Sequence, residues 1–320
     1  MHRLNRRAGM AALCALLAMP LPSTAQDKPL TIIVGSPPGG TTDTLARVIG
    51  RLMGETMQRP VLVDNRAGAG GNIAAAYVAK SAPDGNTLLM SFTGHTINAT
   101  LYKNLGFDPV RDFTPIAMVA KVPSVLIARK GLPFDDVAGL VAYARQHPRK
   151  LNFAIGAQGS SLHLASEQFK MLTGTEIVNV PYKGTGPALS DLLAGTVDLM
   201  FASTVNVLPH MHGGAIQLLG VSSREPLRQF PGVPTIGSTV KGFESIAWFG
   251  LFGPARLPPA VTDKLYAAVK KAVEDPSYQK RMEAEAATAV EMTPAAFADF
   301  VAQDVQTWAG IIKASGATVE

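Results

Sequence analysis

Short apolar runs alternate with amphipathic ones over most of the chain. Leu30–Val34 is a continuous β-type run, and Val61–Val63, Thr87–Phe92, Leu151–Ile155, Ile177–Val180, Val197–Ala202 and Ile216–Val221 repeat it. Runs this short, bounded by Gly, Pro and polar residues, predict strands. After the first of them Leu45, Val48, Ile49, Leu52, Met53 and Met57 recur at helical spacing. Further helices are predicted at about Ile73–Lys80, Asp135–Gln146, Ser161–Leu172 and Pro187–Ala194. This rhythm argues for an α/β fold with largely parallel sheets. The C-terminal part differs, with helices at Val261–Glu274 and Pro294–Lys313 and little strand between them. Thr293 is a natural N-cap before Pro294 at N1, and Gly316 is a natural stop.

Two segments break the pattern. Thr114–Arg129 is long, apolar and split by Pro123; Ser245–Pro254 carries Trp248, Phe249, Leu251 and Phe252. The length suggests two domains, and no linker or repeat separates them. Both segments therefore read as crossings. Residues 26–123 and 245–320 would form one discontinuous domain, and residues 124–244 the other.

Composition changes this picture at one end. The apolar share of 47% excludes global disorder. The net charge of +5 is inflated by Arg3, Arg6 and Arg7: without them 26 basic residues face 24 acidic ones. A surplus of two gives no argument for nucleic acid. The three arginines precede a short apolar run, Ala8–Met19, then Pro20, Pro22 and Ser23-Thr24-Ala25. That is the pattern of a secretory signal, residues 1–25, cleaved after Ala25 and too short to span a bilayer. The Arg6-Arg7 pair admits a twin-arginine route. Cys14, the sole cysteine, lies inside the signal, so the mature chain has no thiol chemistry. A soluble exported protein is expected, periplasmic in a two-membrane bacterium.

The candidate chemistry sits where strands hand over to helices. Ser36-Pro37-Pro38-Gly39-Gly40-Thr41-Thr42-Asp43 can turn its backbone N–H groups toward a carboxylate or phosphate at a helix N-terminus. Thr41, Thr42 and Asp43 can equally cap that helix. No Gly-Lys-Ser/Thr follows, so this is not a P-loop. Asp64–Asn72, with Gly68, Gly70 and Gly71, lacks the spacing of a dinucleotide loop and reads as a tight turn. Gln158-Gly159-Ser160-Ser161, followed by His163, is a second donor-rich loop before a helix. It lacks the Gly-x-Ser-x-Gly elbow of a nucleophilic serine. Tyr182 and Lys183 offer a hydroxyl and a charge in a turn that also fits plain solvent exposure. His95, after Thr93-Gly94, fits either a cleft or a structural role. Ser203 and Thr204 complete the candidate set. His210-Met211-His212 reads as a surface loop rather than a metal site. No catalytic residue, metal site or cofactor is expected.

At these residues the chain resembles the Bug-type extracytoplasmic solute receptors of tripartite tricarboxylate transporters. The resemblance runs through Pro37-Pro38-Gly39-Gly40 with Asp43 and Ala46-Arg47, then Asn65-Arg66 with Gly68-Ala69-Gly70-Gly71, and Ala82-Pro83-Asp84-Gly85. It continues through His95 with Asn98, Gly159-Ser160 with His163-Leu164, and Val180-Pro181-Tyr182-Lys183-Gly184. Asp191-Leu192, Val197-Asp198, Val233-Pro234-Thr235 and Trp248 complete it. Ser36 replaces a frequent aromatic and Ala67 a usual proline.

The resemblance implies a two-domain type II periplasmic binding protein, a Venus flytrap with two crossover segments. It also implies a small carboxylate in the cleft, whether a di- or tricarboxylate, an acidic amino acid or an aromatic acid. The loop of Gly39–Thr42 would face that of Gln158–Ser161, membrane transporter subunits would be the partners, and a monomer is the default. A receptor for a sensor kinase, a neutral or aromatic ligand, and an exported α/β hydrolase are the rival readings.

Overall fold

The computed structural model describes residues 28–316 apart from 157, 183 and 212. The leader with its cleavage site, Lys183 and His212 lie outside the described residues. In chain order the elements are β1 (Leu30–Val34), α1 (Thr41–Met57), β2 (Val61–Asn65), α2 (Asn72–Ala79), β3 (Thr87–Phe92), α3 (Gly94–Leu101) and β4 (Phe113–Arg129). There follow α4 (Val137–Gln146), β5 (Asn152–Ile155), α5 (Ser161–Thr173), β6 (Val178–Pro181), α6 (Thr185–Leu193), β7 (Leu199–Ser203) and α7 (Thr204–Val207). The chain ends through β8 (Ile216–Val221), α8 (Ile236–Thr239), β9 (Ile246–Pro254), α9 (Pro259–Glu274), α10 (Pro276–Ala284), β10 (Thr288–Ala289) and α11 (Pro294–Ser315).

The strands lie in the order β2-β1-β3-β9-β4-β7-β5-β6, with β8 and β10 also paired to β4. Among the strand pairs, parallel pairing falls in the two outer groups, β2-β1-β3 and β7-β5-β6. The pairings of β9, β4, β8 and β10 are antiparallel, so the sheet is mixed rather than largely parallel. The physical reason lies in the two crossing segments, which are themselves long strands. Phe113–Pro123 pairs with β9, and from Ser124 onward the same strand pairs with β7 and β8. Pro123, which cannot donate to a ladder, stands where β4 changes neighbours.

Each group carries helices over two apolar clusters. Leu45, Ile49 and Met53 of α1 pack with Leu265 and Val269 of α9 on Ile32, Leu88 and Ile116. Phe297 and Val301 of α11 pack on the other side with Ala74, Val78, Phe252 and Trp248. Leu140 of α4 and Phe169 of α5 cover Phe153 and Phe201. Leu189 and Leu192 of α6 cover Val125, Met200 and Val221. A fifth cluster joins the two groups, with Ile97 of α3, Leu164 of α5, and Trp308, Ile311 and Ile312 of α11.

Candidate functional site

The register locates a cleft. Phe92, the last residue of β3, pairs with Phe249, which pairs with Ala120 of β4. Ser203, the last residue of β7, pairs with Ser124 of the same strand. Strand β3 runs along β4 and β7 runs against it. The carboxyl ends of the two parallel groups therefore point at each other across Ala120–Ser124, about 13 Å at an ordinary strand rise. Ligands of open α/β sheets bind outside such carboxyl ends, and the loops after β1, β2, β3, β5, β6 and β7 all belong to this space.

The loop after β1 is braced from inside. Gly39 has φ +87° and donates its N–H to Asp43 Oδ2 at 3.0 Å. Arg47 Nε donates to the same oxygen at 3.0 Å, and Asn65 Nδ2 donates to Asp43 Oδ1 at 2.9 Å and to Ser36 O at 3.1 Å. The Arg47 guanidinium, with the Gly39 and Asn65 donors, outweighs burial and holds the Asp43 carboxyl at about 2. Asp43 is 3% exposed, so its charge is spent on loop shape. Thr42 is buried beside it, whereas Pro38, Gly39, Gly40 and Thr41 are exposed. Gly40 is the N-cap of α1, and no side chain caps it. A first turn capped this way leaves its N–H groups and dipole open to an anion.

After β2, Arg66 is committed to the protein: Nε lies 2.9 Å from Asp64 Oδ2, and its guanidinium lies 3.6 Å from the centre of the Tyr77 ring. Gly68 is exposed at φ +135°, where a Cβ would come within 2.5 Å of Ile73. After β3, Thr93 Oγ1 accepts from Trp248 N at 2.9 Å and is buried. His95 lies inside α3, with Nε2 2.9 Å from Pro109 O and its ring among Phe107, Phe113 and Phe252. Burial pushes its pKa down to about 4 despite the Pro109 bond. His95 is therefore buried behind the loop rather than exposed in it.

The loop after β5 mirrors the first. Gly159, at φ +73°, donates its N–H to His163 Nδ1 at 3.0 Å. Ser160 is the N-cap of α5, its Oγ accepting from His163 N at 3.2 Å. Because Nδ1 accepts, the neutral ring carries its proton on Nε2, which lies 3.5 Å from Glu167 Oε1. Glu167 also accepts from Asn179 Nδ2 at 2.6 Å and pairs with Lys170 at 2.7 Å. Burial pushes the Glu167 carboxyl up, but His163, Lys170 and Asn179 prevail and hold it at about 2. Gln158 is exposed and Ser161 half-buried. Tyr182 donates its hydroxyl to Asp191 Oδ2 at 2.7 Å, and burial with that carboxylate raises it to about 12. Ser203 stands at the N-cap position of α7 without a side-chain cap hydrogen bond and is half-buried. Thr204 is buried, donating to Glu285 O at 2.8 Å.

Lys183 lies outside the described residues, and the other seventeen candidates divide. Pro38–Thr41, Gly68, Gln158–Ser161, Tyr182 and Ser203 lie in exposed or half-buried loops at the cleft edges. Thr42, Asp43, Thr93, His95, His163 and Thr204 are buried behind them. The bracing residues Arg47, Asn65, Glu167, Lys170 and Asn179 were outside the candidate set. Among the described residues no cluster of three His, Cys, Asp or Glu could hold a metal ion, and no helix is long and apolar enough to cross a membrane.

Residues 45–317 match the model of the tripartite tricarboxylate transporter family receptor. The chain is 35% identical over 324 residues to Protein BugT of Bordetella pertussis, covering 100% of this chain and 99% of BugT. It superposes on the periplasmic binding protein BugD with a TM-score of 0.76 at 34% identity, covering 91% of this chain and 99% of BugD. It superposes on Rpa4515 of R. palustris, solved with adipate, with a TM-score of 0.78 at 35% identity, covering 90% and 97%. The fold is the two-domain type II periplasmic binding protein, and the chain belongs to the tripartite tricarboxylate transporter receptors, the Bug-type solute-binding proteins.

Proposed function

We propose that this receptor captures a small dicarboxylate in the cleft and delivers it to the membrane subunits of a tripartite tricarboxylate-type transporter. The observation that carries the reading is the pair of opposed helix starts. One is the α1 N-terminus with no side-chain cap, its nearest acid turned inward onto Gly39 and Arg47. The other is the α5 N-terminus behind Gly159–Ser161. Backbone donors at helix starts bind carboxylates without a net positive site, in keeping with a nearly neutral mature chain. The adipate held by the related Rpa4515 is a ligand of this class.

In this reading residues 26–123 with 245–320 form one domain and 124–244 the other, hinged where β4 and β9 pass between them. Contacts from both domains favour the closed form. Lys183 stays in the ligand set with the exposed cleft residues; Asp43 and His163 are positioning residues. The mature protein acts in the periplasm after removal of residues 1–25, as a monomer and without chemical turnover. The test is a thermal-shift and calorimetric screen of residues 26–320, refolded to remove carried-over ligand, against C3–C8 dicarboxylates, citrate, acidic amino acids and aromatic acids. A ligand that binds only the native state raises Tm. A dicarboxylate hit weakened at least tenfold by Ser160→Ala is the expected result. Silence across all acids by a folded protein refutes the reading.

A further inference from the structure

A cavity of about 490 Å³ opens where α5 and α11 meet the two crossing strands. It shares no residue with the cleft loops. Lys121 of β4, Ser245 beside β9, and Trp248 form part of its wall; Phe300, Asp304 and Trp308 come from α11, and Gln168 from α5. Both domains of the proposed division thus contribute to it.

Its polar groups are incompletely matched. Gln168 is 9% exposed, and its buried Oε1 has no hydrogen-bond partner among the described residues. A buried carbonyl left this way is destabilising unless something donates to it. Lys121 makes no ion pair among the described residues; its Nζ lies 5.6 Å from the centre of the Phe300 ring. Asp304 is already engaged, its Oδ2 accepting from Thr96 Oγ1 at 2.6 Å and Trp248 Nε1 at 2.8 Å. Arg224 and Glu244, also on the wall, satisfy each other at 2.7 Å. What remains open is two donors, the Lys121 ammonium and the buried Trp308 Nε1, one buried acceptor, Gln168 Oε1, and the aromatic surface of Trp248, Phe300 and Trp308. An acid without a donor leaves Gln168 unmet. An amine without an acid meets the Lys121 ammonium. A zwitterion with an apolar body answers all three.

We propose that this cavity is a second ligand site, taking a free α-amino acid with an aromatic or branched side chain. The carboxylate lies on Lys121, the ammonium on Gln168 Oε1, and the side chain against the three aromatic rings. Because the walls come from both sides of the hinge, occupancy is linked to closure, and by reciprocity to affinity in the cleft.

The chain's two tryptophans both line the cavity, so their indole N–H signals read it directly. A 15N-labelled sample of residues 26–320 is titrated with L-phenylalanine and L-leucine to 20 mM, with benzoate and phenethylamine as single-charge controls. The expected result is a saturable shift of both indole signals by at least one amino acid, with both controls at least tenfold weaker. Gln168→Leu should weaken binding at least tenfold, and Thr307→Phe, on the exposed outer side of the same wall, should abolish it in a folded protein. No shift by either amino acid means the cavity holds only water, and overturns the proposal. Equal shifts by benzoate or phenethylamine overturn the zwitterion assignment. Shifts unchanged in both variants place the binding elsewhere and also overturn it.

Discussion

Replacing Asp43 by Asn tests whether this carboxylate shapes the first cleft loop or merely sits near it. The charged group accepts from Gly39 N, Arg47 and Asn65. An asparagine offers one acceptor and turns an NH₂ toward donors. The carboxyl is held at about 2 against an ordinary 3.8, a difference worth about 2.5 kcal/mol at full strength. The Arg47 side chain is 52% exposed, so solvent screening brings the share of the ion pair down and leaves about 1–2 kcal/mol. For a chain of this size that is a fall in Tm of roughly 3–6 °C at pH 7. The sign of the pH dependence follows from the lowered value. The contribution is complete above pH 3.8 and fades as pH falls through 3.8 toward 2, where the native carboxylate is also protonated. Calorimetric melts of wild type and Asp43→Asn at pH 7, 5, 3.5 and 2.5 should show a gap that is constant at the first two and narrows at the last two. Equal Tm at pH 7, or a gap that does not narrow in acid, would refute the assignment.

Other outcomes follow from the same contacts. His95 is held at about 4 against an ordinary 6.5, so its neutral burial contributes stability that is full above pH 6.5 and lost as pH falls toward 4. The loss is at most about 3 kcal/mol, and melts of His95→Phe between pH 7.5 and 4.5 should lack this component of the slope. Ser222 Oγ accepts from Ser124 N at 2.8 Å and donates to Ser245 O at 2.5 Å, tying β4 to the residue that precedes β9. Ser222→Ala leaves both groups unpartnered, costing about 1–3 kcal/mol in denaturant unfolding, and faster hydrogen exchange at Ser124 and Ser245 would locate the loss. Arg66→Ala should change cleft affinity less than threefold by calorimetry, because Asp64 and Tyr77 already engage the guanidinium; a larger loss would return Arg66 to the ligand set. Glu167→Gln should lower Tm and weaken cleft binding together, since His163 loses the carboxylate that faces Nε2.

The layers were legible in the sequence because each strand is short, apolar and punctuated. Leu30–Val34, Thr87–Phe92 and Ile216–Val221 coincide with β1, β3 and β8 to the residue. Thr293 accepts from Ala296 N at 3.3 Å and Gly316 adopts φ +66°, as the cap and stop signals require. Strand direction was not legible. A run such as Ile246–Pro254 reads the same whether its neighbours run with it or against it, and the pairing partners of β4 lie more than 70 residues away. Helix α3 was missed because Gly94–Leu101 mixes His95, Thr96 and Asn98 into a face buried on nearly all sides, which erases the period. The candidate loops were visible as Gly- and Ser-rich junctions. Their braces were not: Asn65 lies on a strand end and Glu167 in mid-helix, and only the fold brings them to Asp43 and His163. An acid four residues after His163 and three before Lys170, as Glu167 is in α5, was the one sequence signal that could have pointed there.

The two cleft loops share one construction, which under the proposed function lets backbone groups rather than cationic side chains meet the anion. In each, a glycine with positive φ, Gly39 or Gly159, is pinned through its N–H by a side chain four residues later in the following helix, Asp43 or His163. Each pinning group is held in turn by further side chains: Arg47 and Asn65 for Asp43, and Glu167, which accepts from Asn179, for His163. The charges thus stay in the second row, where their fields largely cancel in pairs, and the row facing the cleft offers backbone and hydroxyl groups. A site of this kind recognises a carboxylate by the positions of its donors, so rigidity of the loops, rather than added positive charge, sets selectivity. Changes at Arg47 or Asn179, which brace Asp43 and Glu167, should then alter which acid binds as much as how tightly.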